Sequence, residues 1–356
     1  MTVDPSASQA AGPIRVALVG CANGWPLWAA ALRVNRALNV TAVVDGDDFA
    51  ARTAARGLRK PALYHSMEEF LAGETMVSAA LVALPPAERA AAIARLVERG
   101  IAVLSEAPIA PELQQADALC RDAEARSVLL MPAFTRRFEP DIAELAAMTR
   151  EERGREQQAR CEWWLPTDRD RDTTGNLQPE WPDWRDVWRS AALQAADVAR
   201  MLLGDAESVS ADLDEPKESG PGKGRSMQAH LIVRHRFGTG VQHIGSTPGV
   251  HTLERYTLVC DGSRSQIDIR PWRDTGDAEG EALERNTRML THFAAAVRGA
   301  EPPEVTCRDA VAAQEIVEAA RISSRDHIKT ALPLYRPGLA PRSKAPDEET
   351  DEPARI

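Results

Sequence analysis

Between residues 14 and 131 short apolar runs alternate with stretches of helical period. The runs at 14–19, 39–44, 77–84, 101–104 and 128–131 are too short for helices and end at Gly or polar residues, which predicts buried strands. Between them, helices are predicted from about Pro26, where a first turn tolerates proline, at 48–56 before Gly57, at 86–99 before Gly100, and at about 111–126. Ser66-Met67-Glu68-Glu69 forms a capping box, serine and glutamate each satisfying a free amide at a helix start. Strands alternating with helices predict parallel pairing, hence a doubly wound Rossmann-type sheet over residues 14–135.

The second half changes period. Segments 157–165, 208–214, 228–237, 240–246, 256–261 and 265–270 are β-like and most follow one another through short Gly-bearing turns. Such spacing predicts an open antiparallel sheet, flanked by helices at 191–203, about 281–298 and 309–323. The expected organisation is a disordered leader at 1–13, the Rossmann-type domain at 14–135, an antiparallel-sheet domain at 136–336 and a Pro-rich acidic tail at 337–356. Residues 215–225 read as a polar loop, and no internal repeat is present.

Composition narrows the partners. With 43 basic and 53 acidic residues the net charge is −10, which argues against nucleic acid or an anionic membrane as partner. No apolar run reaches the roughly 18 residues of a membrane span, and the N-terminus lacks the basic start and apolar stretch of a signal peptide, so a cytoplasmic protein is expected. The 5 cysteines are scattered without a CxxC pair, which predicts reduced thiols and no metal site. Only Lys60, Lys217, Lys223, Lys329 and Lys344 are lysines, so none falls between 61 and 216, and only His65 precedes His230.

The strings RVALVGCANG, VVDGD and LVALPPAERAAAIARLVERGIAVLSEAPIAPELQQADALCRDAEARSVLLMPAFTRRFEP, then ADVARMLLGD and LTHFAAAVRGAEPPEVTCRDAVAAQEIVEAARISS, occur in this order. Together they resemble the Gfo/Idh/MocA family, the relatives of glucose-fructose oxidoreductase and inositol dehydrogenase, over about residues 14–335. The resemblance implies an NAD(P)-dependent oxidoreductase acting on sugars, polyols or related small molecules, assembled as a dimer or tetramer through the open sheet.

Residue by residue the match is uneven. A dinucleotide fingerprint needs small residues for a tight turn, for close approach to pyrophosphate and for helix packing; this chain has Gly20, Ala22 and Trp25, with Asn23 and Gly24 between the last two. Asp45 stands where an acidic residue binds the adenosine ribose, or forms the turn at a strand end. No basic residue follows it directly, which favours NAD over NADP. The resemblance places Leu84-Pro85-Pro86 and Arg89 where the family carries Thr-Pro-Asn and a histidine. It places Glu106-Ala107-Pro108 at Glu-Lys-Pro, and Ser190 and Gln194 at the catalytic aspartate and histidine. Oxidising a carbinol requires a base that takes the hydroxyl proton as hydride leaves. Alanine, serine and glutamine supply none.

Other features stay open at this level. Trp163, Trp164, Trp181, Trp184 and Trp188 fall within 26 residues that end at the would-be catalytic helix, either as loop packing or as an aromatic wall over a ligand. Asp183 and Asp186 are surface carboxylates or replacements for the lost base. His243 and His251 are ordinary sheet histidines or substrate contacts. Arg136 and Arg137 bind an anionic substrate or form structural ion pairs. The expected site therefore comprises Glu106, Asp186 and Gln194 for catalysis; Gly20, Ala22, Asn23, Asp45, Leu84, Pro85 and Glu106 for a nucleotide; and Arg137, Trp163, Trp184, Trp188, Gln194 and His243 for substrate. Three functions compete: a degenerate redox site that binds a small ligand with NAD retained or lost, an active dehydrogenase or imine reductase protonating through Asp186, Glu106 or the substrate itself, and a non-enzymatic partner subunit of a dehydrogenase.

Overall fold

The computed structural model describes residues 12–21, 25–73, 76–151, 157–166, 184–214, 227–247, 253–260, 263–269 and 276–334. The polar loop, the acidic tail, most of the leader, and Ala22, Asn23, Trp181, Asp183 and His251 lie outside these residues.

Strands β1 (Ile14–Val19), β4 (Ala79–Val82) and β5 (Ala102–Ser105) are buried on both faces almost throughout. Apolar residues without alternation fit a parallel sheet between two helix layers. With β2 (Leu38–Val44), β3 (Ala62–Tyr64) and β6 (Leu130–Pro132) they form a six-stranded parallel sheet in the order β3-β2-β1-β4-β5-β6. Helices α1 (Trp25–Val34), α2 (Asp48–Ala55), α3 (Met67–Gly73), α4 (Pro86–Glu98) and α5 (Leu113–Ala125) connect the strands. Strand order reverses between β1 and β4, opening a crevice at the carboxyl ends of those strands.

The three-residue β3, half exposed at the sheet edge, is too short to leave a hydrophobic period and was not expected from sequence. The capping box at α3 forms in shifted form: Ser66 Oγ accepts from the Glu69 amide at 3.1 Å, while the Glu69 carboxylate accepts from the His65 amide at 2.7 Å. Gly100 follows α4 with φ +69°, the left-handed conformation glycine tolerates.

The second sheet has seven strands in the order β12-β11-β7-β10-β9-β8-β13. They are β7 (Gln157–Pro166), β8 (Ala206–Asp214), β9 (Met227–His235), β10 (Gly238–Thr247), β11 (Leu253–Cys260), β12 (Ser263–Ile269) and β13 (Thr330–Ala331). One pair departs from the antiparallel expectation: β7 and β10 run parallel. Helix α7 (Trp184–Leu203) crosses over so that β8 runs the same way as β7, and two hairpin reversals bring β10 back parallel to it. Alternation in β9 is strict, buried residues facing the helices and exposed ones the open side. Helices α7 and α9 (Cys307–Asp326) pack on the covered face, whereas α8 (Gly276–Val297) packs against α1. Thr306 and Asp309 form a reciprocal capping box that starts α9 at Cys307, ahead of the expected residue 309.

A 3-10 turn, Thr135–Phe138, joins the halves and leads into α6 (Pro140–Glu151). From it Arg136 donates through Nε and Nη2 to the buried Glu254 carboxylate of β11, both at 2.6 Å, and Tyr256 donates to the same group at 2.9 Å. The Arg136 guanidinium also lies 5.4 Å from the centre of a Trp163 ring.

One buried histidine makes stability depend on pH. His235 in β9 is 0% exposed, with Nδ1 2.8 Å from the Gly204 carbonyl oxygen, and burial pushes its pKa down from 6.5 to about 4. The folded state holds it neutral, while the unfolded chain takes up a proton below 6.5. Its contribution is thus complete above pH 6.5 and is lost as pH falls toward 4, on the order of 3 kcal/mol at full loss. Urea denaturation at several pH values should show a shallower decline for His235→Gln than for the native chain. Equal slopes would refute the assignment.

Candidate active site

The carboxyl ends of β1, β2, β4, β5 and β6 meet at one edge of the parallel sheet, facing α7. At β1 the chain turns on Gly20, whose φ is +85°. A Cβ there would stand 2.7 Å from the Ala83 carbonyl oxygen, so glycine is required by both conformation and space. The Asp45 carboxylate at the end of β2 accepts from the Cys21 amide at 2.7 Å and from the Asp47 amide at 2.8 Å. It thereby fixes the first turn to the second strand. Each oxygen keeps a further lone pair, so the turn-forming and ribose-binding readings of Asp45 are compatible. Burial and the Asp45 charge push the Cys21 thiol up to about 12, which keeps it protonated. Helix α1 begins at Trp25, one residue before the expected start.

The β4 and β5 ends are locked together by a residue not expected to be in the site. Arg89, 3% exposed, donates through Nη1 to the Pro108 carbonyl at 2.6 Å and through Nη2 to the Leu84 carbonyl and the Glu106 carboxylate, both at 2.7 Å. Its Nε reaches the same Leu84 oxygen at 3.1 Å. The guanidinium fork thus draws Leu84 and Glu106 toward each other and gives Glu106 a charged partner. Its signal in the sequence was an arginine where the family resemblance places a histidine.

On α7, Ser190, Gln194 and Asp197 follow at i, i+4 and i+7 and share a face. Gln194 Nε2 donates to the Ala133 carbonyl beyond β6 at 3.2 Å, while its Oε1 is buried with no hydrogen-bond partner. A buried acceptor left unsatisfied costs roughly 1–3 kcal/mol, so a ligand hydroxyl or amide reaching Oε1 would recover that energy. Asp197 is fully buried and held bidentate by Arg137, at 2.8 Å from Nε and 2.6 Å from Nη2. Arg137 also donates to the Glu304 carbonyl at 2.8 Å and lies 3.0 Å from Asp309. Burial raises the Asp197 pKa, against the pull of the Arg137 charge.

The expected substrate residues are not all brought together. Trp163 is on the helix-covered face of the second sheet under Arg136. His243 is on the opposite, open face, its ring 4.2 Å from that of His230 and 4.8 Å from that of Trp164. Asp186, Trp184 and Trp188 belong to the first turns of α7, and their side chains lie outside the described residues, as do Ala22 and Asn23. Leu84 and Ala107 are half-buried at the edge. Among the described residues no group of three His, Cys, Asp or Glu is arranged to hold a metal ion, and no helix is long and apolar enough to cross a membrane.

Residues 14–134 match the profile of the oxidoreductase family GFO_IDH_MocA, an NAD-binding Rossmann fold. Residues 14–134 are thus similar to the NAD-binding domain of that family. Nothing among the curated proteins matches it. Solved structures share the whole fold. GenD2 from gentamicin A biosynthesis, in complex with NAD, is 20% identical with a TM-score of 0.75, over 93% of this chain and 100% of that one. The WlbA dehydrogenase from Bordetella pertussis, in complex with NADH and UDP-GlcNAcA, is 16% identical with a TM-score of 0.73, over 91% and 99%. A putative myo-inositol dehydrogenase from Sinorhizobium meliloti 1021 is 19% identical with a TM-score of 0.72, over 90% and 100%. In this Rossmann-type domain, Gly20 at the first turn and the remaining lone pairs of Asp45 leave room for the adenosine half of a dinucleotide.

Arg89→Ala would leave Glu106 half-buried without its Arg89 charge partner and the Leu84 and Pro108 carbonyls without these donors. Breaking such a pair costs about 3–5 kcal/mol. A urea midpoint within experimental error of the native one would show that Arg89 does not hold this edge.

Proposed function

We propose that this Gfo/Idh/MocA-fold protein binds a nicotinamide dinucleotide, NAD over NADP, and a small hydroxyl-bearing molecule between the sheet edge and α7, without the family's side-chain proton relay. The observation that carries the proposal is the Gln194 amide. At the position where the resemblance places a histidine, it is anchored to the Ala133 carbonyl and leaves a buried oxygen unsatisfied. An amide holds a hydroxyl in place but does not take its proton near neutral pH. Ala107 and Ser190 stand at the other two relay positions, and Glu106 is tied to Arg89. NAD and NADH in the related structures support nucleotide binding. The nicotinamide would supply a hydride acceptor; Gly20 and Asp45 would hold the adenosine end, Leu84, Pro85 and Glu106 would border the nicotinamide end, and Gln194 would orient the ligand.

Titration with NADH, followed by energy transfer from tryptophan, should give saturable binding, with no NADH produced from NAD and polyols. Steady turnover by the native chain would overturn the proposal, and so would absence of binding at millimolar NADH. Ala107→Lys, Ser190→Asp and Gln194→His together should introduce measurable polyol oxidation.

The same proposal includes assembly through the open face of the second sheet. Trp164, His243 and His230 form an aromatic row there beside Ile232, which is 56% exposed. Light scattering should give the mass of two or four chains, and Ile232→Asp should shift it to one. A monomeric native chain at micromolar concentration would exclude this assembly.

A further inference from the structure

Cys120 and Cys307 come from opposite halves of the molecule and meet where α5 packs against α9. Their meeting is built by the residues around them. Asp117, Cys120 and Glu124 lie at i, i+3 and i+7 of α5 and share one face. Arg308 grips the first and last of these, donating from Nη1 to Asp117 at 2.7 Å and from Nε to Glu124 at 2.7 Å. The residue before it, Cys307, is thereby brought over the middle of that face, beside Cys120. Cys120 is 0% exposed and Cys307 6%. Cys21, Cys161 and Cys260 are buried as well.

The two sulfurs are not equivalent. Cys307 is the first residue of α9, where the unpaired amides and the positive end of the helix favour a thiolate. The neighbouring Cys120 thiol lowers its pKa, against burial and the Glu124 charge, and the Arg308 charge acts in the lowering direction. Cys120 lies mid-helix, and its pKa is raised, by the neighbouring Cys307 thiol first and then by burial.

We propose that Cys120 and Cys307 are a redox-modification site, closed to a disulfide by peroxide, that clasps the two halves of the molecule together. Cys307 attacks one peroxide oxygen, the O–O bond breaks, and hydroxide leaves and takes up a proton as water, giving a sulfenic acid. The Cys120 sulfur then displaces the hydroxyl from that sulfur, its proton leaving with the hydroxide as a second water. Two thiols and one hydrogen peroxide thus become one disulfide and two waters, and a dithiol reductant reverses the change.

The test uses the full chain, treated with hydrogen peroxide, blocked with an alkylating agent and digested with trypsin without reduction. A cross-linked species joining peptide 100–121 to peptide 299–308 should appear and vanish on adding dithiothreitol, with Cys21, Cys161 and Cys260 still alkylated after denaturation. In Cys120→Ser, dimedone should trap a sulfenic acid on Cys307; in Cys307→Ser, Cys120 should stay unmodified. The wild-type digest decides the matter even if a variant fails to fold. No cross-link, a cross-link to another cysteine, or Cys307 passing to sulfinic acid without one would overturn the proposal.

Discussion

Two consecutive arginines hold the molecule's halves in one arrangement. Arg136 and Arg137 leave the same short turn after the parallel sheet, and each closes a bidentate pair with a buried carboxylate of the other half, Glu254 or Asp197. Buried charges persist only where the partner geometry is met, so neither half can rotate by much without stranding an ion. Arginine suits this place because its planar fork matches a carboxylate with two parallel bonds, which an ammonium does not. The position of α7 over the sheet edge, and hence of Gln194 beside Ala133, depends on the Arg137 pair. Arg137 is therefore committed to structure through Asp197, Asp309 and Glu304, whatever a ligand brings.

At the sheet edge the described polar side chains meet the backbone through hydrogen bonds. Arg89 ties Glu106 to two backbone carbonyls, and Gln194 offers a neutral amide. A neutral amide can orient a hydroxyl without taking its proton near neutral pH. The fold supplies a crevice at the switch point of the parallel sheet, and the residues lining it decide what happens there.

Much of the fold was legible because its signals are local. Strand runs such as Ile14–Val19, Gly100 after a helix and the β-like segment at 228–237 each report directly on burial or backbone conformation. The β3 strand was not legible, since three half-exposed residues carry no period. Nor was the parallel pairing of β7 with β10, a property of chain path. At the candidate site, spacing pointed to Gly20 and Asp45, and resemblance to Ala107, Ser190 and Gln194. The Arg89 clamp was missed because its partners, Leu84, Glu106 and Pro108, come together only in space. Likewise, the sequence grouped Trp163 and His243 as candidate substrate contacts, whereas they lie on opposite faces of the same sheet.

The position of β7 has a consequence for synthesis of the chain. It lies inside the second sheet with β10 and β11 on either side, and both are made long after it. Until they emerge, a nascent chain carries β7 with both edges unpaired. Unpaired edges of that kind are templates for pairing with other chains. The interval between translation of β7 and of β11 is thus the period of greatest aggregation risk, and a chain halted there has a finished parallel sheet attached to an orphan strand.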